Sequence, residues 1–121
     1  MNQYQNLKVW QKAMEVAKVV YQCTQAFPTH EQFGLTAQIR RSTVSVASNI
    51  AEGAGRNSKG EFRQFLGIAT GSAFELETQL ILAKDLGYVK DEAFDQLQIG
   101  LSDILKMIRS LQTHLAKPTK D

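Results

Sequence analysis

Apolar residues return every three or four positions along most of the chain, in four runs broken by glycine, proline or short polar stretches. That period predicts four amphipathic helices, and no alternating pattern competes as a strand. The first run covers about residues 6–27. Leu7, Trp10, Met14, Ala17, Tyr21 and Thr24 mark its apolar face, Ala13, Val20 and Phe27 widen it, and Lys8, Lys12, Glu15 and Lys18 fall opposite. Pro28 ends it, because the residue before a proline is pushed out of helical geometry. The polar stretch Thr29 to Gln32 is predicted to add one helical turn before the second run.

The second helix is predicted over 35–54, with Leu35, Ile39, Thr43, Val46 and Ile50 on its face and Ala47, Ala51 and Ala54 beside them. Ser42, Ser45 and Ser48 weaken its intrinsic helicity, so packing must hold it. Gly53 and Gly55 supply its end. The third helix, 59–86, opens on Ser58-Lys59-Gly60-Glu61, where the serine hydroxyl can accept from the Glu61 amide and the Glu61 carboxylate can reach back. Phe62, Leu66, Ala69, Ala73, Leu76, Leu80 and Ala83 then keep a heptad rhythm up to Gly87. The fourth, 91–116, carries Phe94, Leu97, Leu101, Ile104, Ile108, Leu111 and Leu115 and leaves at Pro118.

Helices of this length joined by short turns pack best as antiparallel neighbours, so residues 1–121 are expected to form a single all-α domain, an up-down-up-down four-helix bundle. Residues 1–5 and 117–121 are expected to fray. Two features exceed what one such bundle needs. Gly67 and Gly71 stand inside helix 3, each at a cost of about 1 kcal/mol relative to alanine, which suggests either close approach of another helix or tolerated flexibility. Ile68, Leu82, Leu86, Ile99 and Leu105 lie off the heptad lines, so some are expected to meet a second subunit.

Composition narrows the chemistry. The chain has 121 residues, 43% hydrophobic and 21% charged, enough to build a core without disulfides or a structural metal. The lone Cys23 cannot form an internal disulfide, and the first residues lack the apolar core of a signal peptide, so a cytoplasmic location is expected. No apolar run is long enough to span a membrane. A di-metal bundle site needs Glu-x-x-His pairs, and neither His30 nor His114 has a glutamate three residues before it. Glu52, Glu75 and Glu77 read as hydrogen-bonded or rim carboxylates. Gly53-Ala54-Gly55-Arg56 lacks the preceding strand and following Gly-Lys-Ser/Thr of a phosphate loop. Cys23 has no histidine nearby in sequence, and no nucleophile elbow is present. The expectation is therefore a protein that is not an enzyme and has no cofactor, catalytic residue or metal ligand.

Charge is the remaining signal. Residues 1–63 carry eight Lys/Arg against four Asp/Glu, and residues 64–121 carry six against eight. Arg40 and Arg41 form one basic cluster. Arg56, Lys59 and Arg63 form a second around the start of helix 3, where the partial positive charge of a helix N-terminus also favours phosphate oxygens. These five are the candidate nucleic-acid contacts, with a merely solvated surface as the alternative.

Several stretches taken together resemble one family: Leu7 to Ala13 (LKVWQKA), Phe27-Pro28 with Glu31 to Leu35, Gln38 to Arg41, Ser48 to Gly53 (SNIAEG), and Glu75-Leu76-Glu77 before Leu86-Gly87-Tyr88. They are similar to the four-helix-bundle proteins encoded in intervening sequences of bacterial 23S ribosomal RNA genes, from Leu7 to about Leu111. That family is in turn similar to accessory proteins of diversity-generating retroelements. The second likeness implies a ring-like homopentamer with a basic surface that binds nucleic acid and a reverse transcriptase, although this chain is less basic than such a role leads one to expect. Arg40, Arg41 and Arg56 fall within or beside the resembling stretches. The expected function is a non-enzymatic, oligomeric protein associated with RNA or DNA through repeated basic patches. The alternative is a scaffold that docks a protein partner.

Overall fold

The apolar rhythm becomes four α-helices in the computed structural model, which describes residues 3–118. Helix α1 spans Lys8–Thr24, α2 Leu35–Ala54, α3 Lys59–Asp85 and α4 Asp91–Leu115, with short 3-10 turns at Tyr4–Asn6 and Thr29–Glu31. The second of these turns is the one the polar stretch predicted. Among the described residues there is no strand.

Local chemistry explains the boundaries. At the start of α3 the Ser58 hydroxyl accepts from the Glu61 amide at 3.1 Å and lies 3.3 Å from the Glu61 carboxylate, to which it donates. The end of α1 differs from expectation. The helix stops at Thr24, and residues 25–27 tighten into i→i−3 bonds, Gln25 to Gln22, Ala26 to Cys23 and Phe27 to Thr24. The bend before Pro28 thus begins three residues earlier and turns Phe27 into the core. At the other end, Tyr4 does not fray but packs edge-on against Trp10, with ring centroids 5.2 Å apart. Residues 1, 2 and 119–121 of the predicted frayed ends lie outside the described residues.

All seven residues of the α3 heptad line are buried, and so are Phe94, Leu97, Leu101, Ile104 and Ile108 of α4, whereas Leu111 and Leu115 are half-buried. On α1 the face is rotated from the predicted one. Val9, Ala13, Val16 and Val20 carry the core, Trp10 and Met14 are only partly buried, and Tyr21 remains 40% exposed. The inward direction of a helix is set by the two helices that flank it, and the small β-branched residues of α1 point between them. Its larger side chains lean toward α2.

Side-chain contacts fix the direction of each pair. Between α2 and α3, Ser42 donates to Gln79 at 2.9 Å and Glu75 at 3.2 Å, Ser45 meets Ser72 at 2.8 Å, and Gly53 lies against Phe62 and Phe65. As numbering rises on one helix it falls on the other, so the pair is antiparallel. Between α1 and α4, Gly100 faces Val16 and Asp103 lies 4.0 Å from Lys12. Between α3 and α4, Gln112 donates to the Arg63 carbonyl at 3.3 Å near one end, and Lys84 lies over the Phe94 ring at the other. The helices therefore neighbour one another in chain order around the bundle, up, down, up, down. The small residues of α2 let α3 come close: a Cβ on Gly53 would sit 2.7 Å from Cβ of Phe65.

Gly67 and Gly71 are different. A Cβ on Gly71 would meet nothing within 4 Å, and one on Gly67 only Nε2 of Gln112 at 3.9 Å. No helix of this chain approaches them closely.

Candidate functional site

The antiparallel course separates the two basic clusters. Arg40 and Arg41 stand in the second turn of α2, near the end of the bundle where α1 finishes. Arg56, Lys59 and Arg63 stand at the opposite end, about 20 Å away along α2 at 1.5 Å per residue. One chain does not bring the five together.

Within the first cluster, adjacent residues have opposite surroundings. The Nε of Arg40 donates to the Thr24 hydroxyl at 2.8 Å, a terminal nitrogen of its guanidinium donates to the Tyr21 carbonyl at 3.3 Å, and its guanidinium lies 4.7 Å from the Tyr21 ring centre. Thr24, itself buried, donates onward to the Val20 carbonyl at 2.9 Å. Arg40 thus ties the end of α1 to α2 through its Nε and one terminal nitrogen. Arg41, one residue on and about 100° around the helix, is exposed and forms no ion pair among the described residues.

In the second cluster, Arg56 pairs with the Glu52 carboxylate at 3.4 Å and lies over the Phe65 ring at 4.7 Å. Lys59 and Arg63, one turn apart on α3, are exposed. The capping Glu61 stands between them. Two carboxylates therefore lie among these three cations, and the cluster's own field is weaker than its count of basic residues suggests.

The other reactive side chains are ordinary. Among the described residues no three His, Cys, Asp or Glu side chains are grouped to hold a metal ion. Glu52 is engaged by Arg56 and Glu75 by Ser42, so these carboxylates do not pair with each other. Cys23 is half-buried, and burial pushes its thiol above the usual range. No described helix is long and apolar enough to cross a membrane.

The sequence reading named part of the exposed apolar surface, Ile68, Leu82, Leu86 and Ile99, and missed the rest. Between α1 and α2 lies an open groove of about 490 Å³ lined by Tyr4, Trp10, Met14, Tyr21, Val44 and Ala47, with Lys18 at its rim. Val44 is 45% exposed there, and across the bundle Phe74 is 53% and Ile99 64% exposed. Ile68, Leu82 and Leu86 are exposed as well, while Leu105 packs partly against the core. Phe33, in the turn before α2, is 90% exposed. Phe74 was legible as an aromatic off the α3 heptad line. The groove was not, because it needs two helices at known rotation.

Comparison with known proteins agrees with this architecture. A crystal structure of a protein of unknown function from the S23 ribosomal protein family of Bacteroides thetaiotaomicron VPI-5482 superposes with a TM-score of 0.77 at 28% identity, over 86% of this chain and 97% of that one. No curated protein matches the sequence. The sequence model of one family, described as 23S rRNA-intervening sequence protein, matches residues 5–110, which include all of α1, α2 and α3 and most of α4. On that match, and with the fold it accompanies, the chain belongs to the 23S rRNA-intervening sequence protein family.

Proposed function

We infer that the protein acts without catalysis, as an oligomer of helical bundles that associates with RNA or DNA through cations displayed around one rim of the assembly. The observation that carries self-assembly is the exposed apolar surface. A chain whose core is already closed leaves Val44, Phe74, Ile81 and Ile99 open to water, more than singly scattered residues account for. Five is the number of copies that the retroelement likeness implies. Nucleic-acid association rests on Lys59 and Arg63, exposed at the start of α3, with Arg56 beside them. One such patch, offset by Glu52 and Glu61, binds phosphate weakly. Several copies on a rigid ring would engage one strand at high effective concentration.

The carboxylates among those cations favour a second reading, a scaffold that docks a protein partner. Light scattering combined with fluorescence anisotropy on a mixed-sequence oligonucleotide separates the two. An oligomer that binds at ~50 mM salt and releases steeply as salt rises supports nucleic-acid association. Arg63→Glu should then abolish binding without lowering thermal stability. An oligomer that binds no oligonucleotide at that salt supports the scaffold, and a monomer overturns both.

A further inference from the structure

We propose that the cavity at the end of the bundle where α1 passes into α2 is a binding site for a small monocarboxylate that also carries a neutral hydroxyl or amide group. All of its wall comes from one chain, so it stands apart from the assembly inferred above.

The cavity measures about 250 Å³ and lies among Gln25, Phe27, Thr29, Gln32, Thr36 and Arg40. Sites for drug-sized molecules occupy roughly 300–1,000 Å³, so this one suits a smaller ligand. Its wall is mixed. Phe27 supplies an apolar side, the other residues supply amide, hydroxyl and guanidinium groups, and no carboxylate lines it.

An unanswered charge is the first observation that points to an anion. Arg40 is half-buried, and no carboxylate lies within ion-pair distance of it among the described residues. A cation drawn partly out of water without a counter-ion attracts an anion more strongly than one in full solvent.

The geometry of that cation selects the anion. Nε of Arg40 donates to the Thr24 hydroxyl and Nη2 to the Tyr21 carbonyl, and the guanidinium lies 4.7 Å from the Tyr21 ring centre. These contacts fix its plane. Nη1 and the second N–H of Nη2 remain, and one N–H from each terminal nitrogen makes the parallel pair that matches the two oxygens of a carboxylate. With the fork already held, little side-chain freedom is lost on binding. One cation balances one negative charge, which favours a monocarboxylate over a phosphate dianion.

The neutral part of the ligand answers a different group. Thr36 is 7% exposed, and its Oγ1 is shut off from water with no hydrogen-bond partner. Buried hydroxyls seldom stay unpaired, and a threonine in a helix has two χ1 rotamers open to it, so this one can turn to a ligand without a shift of α2. The side-chain amides of Gln25 and Gln32, exposed along the cavity, form no hydrogen bond among the described residues.

The test titrates the isotope-labelled full chain with lactate, glycerate and N-acetylglycine at constant ionic strength, followed by proton–nitrogen correlation spectra. At least one acid should give saturable shifts at the Arg40 Nε–H, the Gln25 and Gln32 amides and the backbone around Thr36, with a dissociation constant of about 1 mM or below. Chloride at the same ionic strength should not. Thr36→Val, which removes the unpaired hydroxyl, should weaken binding by about three- to tenfold without lowering the melting temperature. Arg40→Lys keeps the charge but lacks the fork and should weaken it by more than about tenfold. Because Arg40 also joins two helices, thermal melts check that this variant is folded, and Thr36→Val decides where it is not. No saturable shift with any acid up to ~50 mM, equal shifts with chloride, or unchanged affinity in Thr36→Val would overturn the site. Inorganic phosphate binding more tightly than all three acids would overturn the choice of a carboxylate.

Discussion

Arg40 holds Thr24 by a 2.8 Å hydrogen bond from its Nε, so a residue that looks in sequence like half of a basic patch is the clasp between α1 and α2. Arg40→Ala should destabilise the protein by about 1–3 kcal/mol, through lost charge-assisted hydrogen bonds and the stacked Tyr21 ring. Arg41→Ala should leave stability within about 0.5 kcal/mol of the parent, as expected of exposed positions without such partners. Urea melts of the two variants side by side check the contrast, and equal effects would remove the clasp.

Core burial sets a second expectation. Ile104 and Leu76 are at most 1% exposed, and either truncated to alanine should cost about 2–5 kcal/mol from lost burial and the cavity left behind. Lys8→Ala, on the exposed side of α1, should be close to silent in the same denaturation assay.

The turn between α2 and α3 is held at two points. Ser58→Ala removes the cap on the Glu61 amide and should cost about 0.5–2 kcal/mol with the fold intact. Gly53→Ala forces a methyl to within 2.7 Å of Phe65 and should cost about 1–3 kcal/mol. Gly71→Ala, in open space, should instead stabilise a single chain by about 1 kcal/mol, the helix-propensity difference. Thermal denaturation of the three variants tests signs as well as sizes.

Tyr88 joins the two connections at one end of the bundle. Its hydroxyl donates to the Glu31 carboxylate at 3.2 Å, while the other oxygen of Glu31 accepts from the Leu35 amide at 3.1 Å and so starts α2. Burial, the Glu31 hydrogen bond and the Glu31 charge together raise the phenol above its ordinary range. The folded state therefore keeps its proton where the unfolded chain loses it. This contribution is complete below the unfolded value near pH 10 and is lost as pH rises through the raised folded value. Tyr88→Phe should lower the melting midpoint slightly at neutral pH, and the gap from wild type should shrink in strongly alkaline buffer. A gap that grows there would reverse the sign.

The helices were legible along the chain because their causes are local. A three-to-four residue apolar period, Pro28, the Ser58 cap and Gly87 act within a turn of the residues they affect, and α2, α3 and α4 begin and end within one residue of where that pattern puts them. The α3 core line was complete in sequence for the same reason. Rotation was not local. Val16 and Tyr21 of α1 are both large enough to fill a core, and only the positions of α2 and α4 decide that Val16 faces inward while Tyr21 lines a groove. The basic residues divide in the same way. Helical phase sets Arg40 beside Ala47 and Ala51 at the margin of the apolar face and Arg41 opposite it, but Thr24, the partner that holds Arg40, is sixteen residues away and reaches it only because α1 and α2 pack antiparallel. Side-chain type and spacing determine which segments fold into helices, whereas which side chains are spent on packing and which stay open to a partner depends on contacts that exist only once the four helices are together.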